Sequence, residues 1–133
     1  AGLRFDRRKQ VIPAGLTIAE GRTAWQRLTA NHPGEDARPD GVFCVNDLCA
    51  YGVMDAADAE GLVPGRDLAI AGVDDLPPSA LRRIGLTSIR QPVDELVERA
   101  THALLDAVES GEAPTVRVTL PPELVPRAST NLC

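Results

Sequence analysis

Two apolar bursts constrain this chain most: Val42-Phe43-Cys44-Val45 and Leu68-Ala69-Ile70-Ala71-Gly72-Val73. Neither alternates with polar residues, so each reads as a strand covered on both faces, as in a parallel sheet. Each stops at a polar pair, Asn46-Asp47 and Asp74-Asp75. A helical stretch begins at Asp47 and runs to about Glu60, with Gly61 where a glycine ends a helix. Strand, polar junction, helix and strand in that order form a parallel crossover unit.

The flanking sequence extends the pattern. Gln10-Val11-Ile12-Pro13 reads as a short strand ending at the turn Ala14-Gly15. Thr17 with Glu20 three residues later is a capping box. It opens a helix to about Ala30 that points Ile18, Trp25 and Leu28 at the core, and Asn31-His32-Pro33-Gly34 stops it. Pro77 to Arg82 suggests one helical turn, and Thr87 to Gln91 a strand. Pro92 suits the first position of a helix, where its missing N–H costs nothing. Val93, Leu96, Val97, Ala100, Leu104, Ala107 and Val108 then mark one apolar stripe, closed by Gly111. Val116 to Leu120 alternates as a strand, and a last strand spans Glu123 to Pro126. Such alternation predicts an α/β fold, a mostly parallel sheet with flanking helices.

Composition narrows the function classes. The 133 residues suit one domain, and aromatics make up only 3%, so the core must be aliphatic. The net charge of -5 argues against direct binding to DNA or anionic lipid, which needs clustered Lys and Arg. The basic run Arg4 to Lys9 reads as a solvated face. Cys44, Cys49 and Cys133 follow neither a disulfide framework nor a zinc spacing, and read as small buried hydrophobes of a reducing compartment. No apolar run approaches the roughly 20 residues of a membrane span, and no signal peptide opens the chain, so a cytoplasmic location is expected. The abrupt start at Ala1-Gly2-Leu3-Arg4 suggests a fragment of a longer protein.

In an open parallel sheet, ligands bind outside the carboxyl ends of the strands. The predicted strands end at Gly15-Leu16-Thr17, Asn46-Asp47, Asp74-Asp75 and Gln91. Parallel strands put these junctions on one edge, where amides and carboxylates form paired donors and acceptors for a small polyhydroxylated or amide-bearing ligand. Asn46 and Asp47 suit a helix cap as readily as a ligand contact. Enzyme readings find little support. There is no G-x-G-x-x-G, P-loop or G-x-S-x-G, and no nucleophile–base pair can be named. His32 and His102 lie away from the proposed edge. A metal-dependent phosphatase using Asp74-Asp75 lacks the Lys and Ser/Thr companions it would need. No metal site and no cofactor are expected.

The residues also resemble a known family. Pro39-Asp40, Asn46-Asp47, Gly61 to Val73, Asp74-Asp75, Thr87 to Gln91-Pro92, and Leu120-Pro121 through Leu124, Arg127 and Ser129-Thr130 follow in order the signature of the lactose-repressor (LacI/GalR) family of transcription regulators. The resemblance implies the C-terminal portion of a type I periplasmic-binding-protein-like fold. It implies that residues 1–91 belong to the second lobe of an effector-binding domain. Residues 92–120 would be a crossover helix and strand that pack in the first lobe, and residues 121–133 a return strand and tail. Asn46 and Asp74 would be the effector-contacting amide and carboxylate, with Asp47 beside them. Gln91 would lie at the hinge crossover. Leu16 stands where many members place an aromatic on the ligand. Leu48, Tyr51 and Met54 on the second helix, with Leu81 and Arg82, would form a dimer face. The implied function is effector sensing and dimerisation in a bacterial regulator, with a sugar-like or nucleoside-like effector. Operator DNA would be bound only through an N-terminal helix-turn-helix that this chain does not contain. The alternative is a periplasmic solute-binding protein of a transport system, which shares the fold.

Overall fold

The computed structural model describes residues 6–32, 38–113 and 117–131. Four helices and four strands are present among them: α1 (Arg7–Gln10), α2 (Ile18–Ala30), β1 (Gly41–Phe43), α3 (Asp47–Ala59), β2 (Ala69–Val73), β3 (Thr87–Arg90), α4 (Val93–Ser110) and β4 (Glu123–Val125). Short 3-10 turns occupy Pro77–Ala80 and Ala128–Thr130. The sheet order is β1-β2-β3-β4. The first three strands run parallel, with Phe43 beside Ala71 and Val73 beside Ile89, and β4 returns antiparallel along β3. The expected α/β class and mostly parallel sheet are therefore observed.

Local chemistry explains the helix starts. Thr17 Oγ1 accepts from the Glu20 N–H at 3.3 Å, and Glu20 Oε2 accepts from the Thr17 N–H at 3.1 Å, completing the capping box. Asn46 caps α3 by accepting from the Cys49 N–H at 2.8 Å. Gly61 and Gly111 take left-handed φ values of 78° and 74° just past α3 and α4. Pro92 sits one residue earlier than expected, as the residue before the first helical position rather than in it.

Helices α2 and α3 cross at two glycines. A Cβ on Gly21 would overlap the Cys49 carbonyl oxygen, and one on Gly52 would overlap the Ile18 carbonyl oxygen. Hydrogen at both positions lets the backbones touch. Trp25 then packs into the core and donates from Nε1 to Glu60 Oε1 at 2.9 Å. The core comprises Trp25, Leu28, Cys44, Cys49, Ala50, Val53, Ala57, Leu68, Ile70 and Leu86. Each fully buried large side chain among them contributes about 1.5–3 kcal/mol.

Several expectations are corrected. Gln10 to Pro13 is not a strand. Asp6 accepts from the Arg8 N–H and donates its own N–H to the Gln10 side chain, so local bonds wind Arg7–Gln10 into one turn. Ile18 is exposed rather than buried. The first apolar burst is not covered on both faces: Phe43 is 66% exposed and Val45 is exposed too, while Cys44 between them is buried. Residues 117–120 form no strand, and Val116 lies outside the described residues. No residue of α4 is buried, and Leu96, Val97, Leu104, Leu105 and Val108 face solvent.

Candidate functional site

The carboxyl ends of β1, β2 and β3 share one edge of the sheet, and the polar junctions lie there. They divide into a buried layer and an accessible layer.

Asp47 anchors the buried layer. It is fully buried, and its oxygens accept from Ser88 Oγ at 2.6 Å, Ser79 Oγ at 2.6 Å and the Leu76 N–H at 2.8 Å. Three donors offset the cost of burying a carboxylate there. Asp47 thereby ties the start of α3 to the loop after β2 and to β3. Ser88 Oγ also accepts from the Asp75 N–H at 3.0 Å, and Tyr51 OH shares a 2.6 Å hydrogen bond with Ser79 Oγ. Gly72 makes the arrangement possible, since a Cβ there would overlap Asp47 Oδ1.

Asp75 belongs to the same layer, with a side chain only 6% exposed. One oxygen takes a hydrogen bond from Arg127 Nη2 at 2.5 Å, and the other meets Arg90 Nη2 at 2.6 Å. Burial pushes its carboxyl pKa up, but the hydrogen bonds from Arg127 and Arg90 outweigh that and hold it below the ordinary value. Arg127 also donates to the Leu86 carbonyl at 2.7 Å. Ser129 Oγ donates to the Ile70 carbonyl at 2.6 Å and accepts from the Thr87 N–H at 2.8 Å. The tail thus clasps β2 and β3 with polar groups that are satisfied among the described residues.

The accessible layer holds Leu16, Asn46, Asp74 and Gln91. Asn46 Nδ2 donates to the Leu16 carbonyl at 3.1 Å, which brings residues from the α2 entry and the end of β1 together. Leu16 itself is exposed. Gln91 Nε2 donates to Asp74 Oδ1 at 2.8 Å, joining the ends of β2 and β3. The second oxygen of Asp74 accepts no hydrogen bond among the described residues. Asp74 and Asp75 both hold positive φ, 105° and 50°. Non-glycine residues in such regions cost about 1–3 kcal/mol each and concentrate at functional sites. Consecutive left-handed residues let neighbouring carboxylates diverge, Asp75 inward to the guanidinium groups and Asp74 to the accessible edge.

Leu48 and Leu81 are exposed, and Tyr51 and Met54 are half-buried. The Tyr51–Ser79 bond holds the Pro77–Ala80 turn against α3, and Leu81 and Arg82, just past that turn, are exposed.

A groove of about 530 Å³ lies elsewhere, between residues 10–14 and β1, with Trp25, Leu28 and Val53 at its base. Its lining is apolar apart from Gln10 and the thiols of Cys44 and Cys49. It suits packing rather than a polar ligand. Burial and the neighbouring Cys49 push the Cys44 thiol up to about 12, so it stays protonated. No group of three metal-ligating side chains exists among the described residues.

The sequence did not point to Ser79, Ser88, Ser129 or Arg127 as partners of the junction carboxylates. Gly72 carried the one available signal, an isolated glycine inside a strand pattern, which marks close approach of another group.

Comparison with known proteins agrees with the observed fold. Residues 2–130 match the family described as periplasmic binding protein-like domain. The ribose operon repressor of Halalkalibacterium halodurans is 32% identical over 91% of this chain and 35% of its own length. The HTH-type transcriptional repressor PurR of Salmonella arizonae is 36% identical over 90% of this chain and 34% of its own length. The chain thus spans about a third of these relatives. Among solved structures, a LacI-family regulatory protein from Chloroflexus aggregans superposes with a TM-score of 0.73 at 36% identity, over 85% of this chain and 40% of that one. The transcriptional regulator CelR in complex with cellobiose gives 0.83 at 26% identity, over 96% and 38%. The dimeric lac repressor with an 11-residue C-terminal deletion gives 0.74 at 28% identity, over 87% and 41%.

Proposed function

The chain belongs to the periplasmic binding protein-like domain family, and from that premise we propose that it is the effector-sensing and dimerising portion of a bacterial LacI-type transcription regulator. The observation that carries the reading is the accessible edge itself: Asn46 fixed by Leu16, and Asp74 fixed by Gln91, at the ends of parallel strands. Those groups suit a sugar-like or nucleoside-like effector, whose hydroxyls need paired donors and acceptors. The relatives are repressors rather than transport proteins, which favours regulation over solute transport. No helix among the described residues is long and apolar enough to cross a membrane. A cytoplasmic location follows from the regulatory reading.

Effector bound at this edge biases the arrangement of the lobes, and a dimer face of Leu48, Tyr51, Met54, Leu81 and Arg82 passes that bias to the partner subunit. Only differential affinity for two arrangements can shift the equilibrium. In the same reading, residues 1–91 form second-lobe structure. Residues 92–120 cross to the first lobe, where the exposed stripe of α4 is covered, and residues 121–133 return. Operator DNA is contacted only through a helix-turn-helix outside this chain.

The test is a thermal-shift screen of pentoses, disaccharides and nucleosides against the protein, followed by calorimetry. Asp74→Ala should weaken binding of the identified effector by about 1.5–3 kcal/mol, the range for a charge-assisted hydrogen bond. Unchanged affinity in both Asp74→Ala and Asn46→Ala would overturn the assignment.

A further inference from the structure

We propose that Arg127 is a positioning residue for the effector edge: by holding Asp75 inward, it turns Asp74 outward and so sets the Asp74–Gln91 pair. The inference rests on the reading of Asp74 and Gln91 as effector contacts. Asp74 and Asp75 are adjacent, share one peptide unit and both hold positive φ, so a change in the backbone at one is felt at the other. Asp75 is fixed on every side. Its N–H donates to Ser88 Oγ, one carboxylate oxygen takes the Arg127 hydrogen bond, and the other takes Arg90. Among the described residues, Asp74 has only its own N–H to the Ile89 carbonyl and the Gln91 amide on its side chain. The orientation of the exposed carboxylate is therefore inherited from the buried one.

Of the two guanidinium groups, Arg127 is the better placed to impose geometry. Its side chain is 16% exposed, against 49% for Arg90. Its Nη1 is held by the Leu86 carbonyl, and its backbone N–H donates to Thr87 Oγ1 at 2.8 Å. A planar fork anchored at one end presents the other in a set direction, which an ammonium on a flexible stem does not. The tail after β4, far from Asp74 in sequence, thereby becomes part of the effector site without touching an effector.

Nuclear magnetic resonance on the ligand-free protein tests this without knowing the effector. Arg127→Met should move the Asp74 amide coupling constant towards its extended value and shift the Gln91 side-chain amide signals. Gly21 and Gly52, at the α2–α3 crossing, should keep theirs. A folded variant with unchanged Asp74 and Gln91 signals would overturn the proposal. Should Arg127→Met fail to fold, Arg127→Lys serves. It keeps the cation but cannot reach both Leu86 and Asp75, so a smaller shift in the same signals is expected, and no shift overturns the proposal. Because no effector is present, a failure here is distinct from a failure of the effector reading, which calorimetry decides.

Discussion

Gly72 on β2 leaves the space that the carboxylate of Asp47 fills. Gly72→Ala must displace either the carboxylate or the strand. It should cost about 1–3 kcal/mol, as overpacking of a well-filled site does. Gly61→Ala is the control. Its φ is 78°, but nothing lies within 4 Å of an added Cβ, so only backbone strain of about 1 kcal/mol is expected. Urea denaturation of both variants checks the order, and equal losses would mean that the Asp47 contact is unimportant.

Asp47→Ala should be the more damaging change. It leaves the Leu76 N–H and two buried serine hydroxyls without their acceptor. At about 1–3 kcal/mol for each unsatisfied group, partly relieved by rotation of the hydroxyls, a loss of about 3–4 kcal/mol is expected. Asn46→Ala removes the α3 cap and the more exposed bond to the Leu16 carbonyl, and should cost about 1–2 kcal/mol. A denaturation series in which Asn46→Ala costs more than Asp47→Ala would contradict the division into buried and accessible layers.

That division is where sequence reading stopped. Helices α2 and α3, strands β2 and β3, and the polar strand ends were legible, because capping pairs, apolar periodicity and C-terminal glycines are local signals. Asn46 and Asp47 are adjacent letters of similar chemistry, yet one half-buried residue caps a helix and the other is sealed in the core. Their separation depends on Ser79, Ser88 and Gly72, which are 25 or more positions away and meet them only after folding. Asp74 and Asp75 pose the same problem, since backbone φ decides which carboxylate turns inward. The strand at Gln10 to Pro13 failed for a related reason. Its apolar residues suit a strand, but a strand also needs a ladder partner, and its backbone bonds locally instead.

Acid should weaken the fold through Asp75. Its folded pKa lies below the ordinary carboxylate value of about 3.9, so the unfolded chain binds more protons as pH falls. The stabilisation is present above that ordinary value and is lost as pH drops through the lower folded value. Denaturation at pH 6 and at pH 3 should show a stability difference that is smaller in Arg127→Met, which lacks the main partner. An equal pH dependence in the two proteins would remove Asp75 as its source.

The stripe on α4 predicts association. Val97, Leu104 and Val108 are 59%, 62% and 72% exposed along one helix, and large apolar patches seldom stay bare in water. The chain should therefore form dimers or larger species at micromolar concentration by light scattering. The double variant Val97→Glu and Leu104→Glu should shift it towards monomer. A monodisperse unmodified monomer would mean that α4 folds back onto its own sheet.

Asp74 sets stability against function. At φ 105° an aspartate is strained, and glycine is not. Asp74→Gly forfeits an exposed hydrogen bond to Gln91, about 0.5 kcal/mol, and adds unfolded-state entropy of about 0.5–1 kcal/mol. Relief of about 1–3 kcal/mol of strain against about 1–1.5 kcal/mol of losses puts the variant between about 0.5 kcal/mol less stable and about 2 kcal/mol more stable than the parent. The same change at Asp75 has the opposite sign, because it removes a nearly buried acceptor from Arg127 and Arg90 and leaves Arg127 without its charge partner. Asp75→Gly should cost about 3 kcal/mol. Thermal and urea unfolding of the two single variants, measured side by side, check the contrast. If Asp74→Gly were clearly destabilised, the strained carboxylate would be holding the fold together rather than being kept at the sheet edge for a ligand.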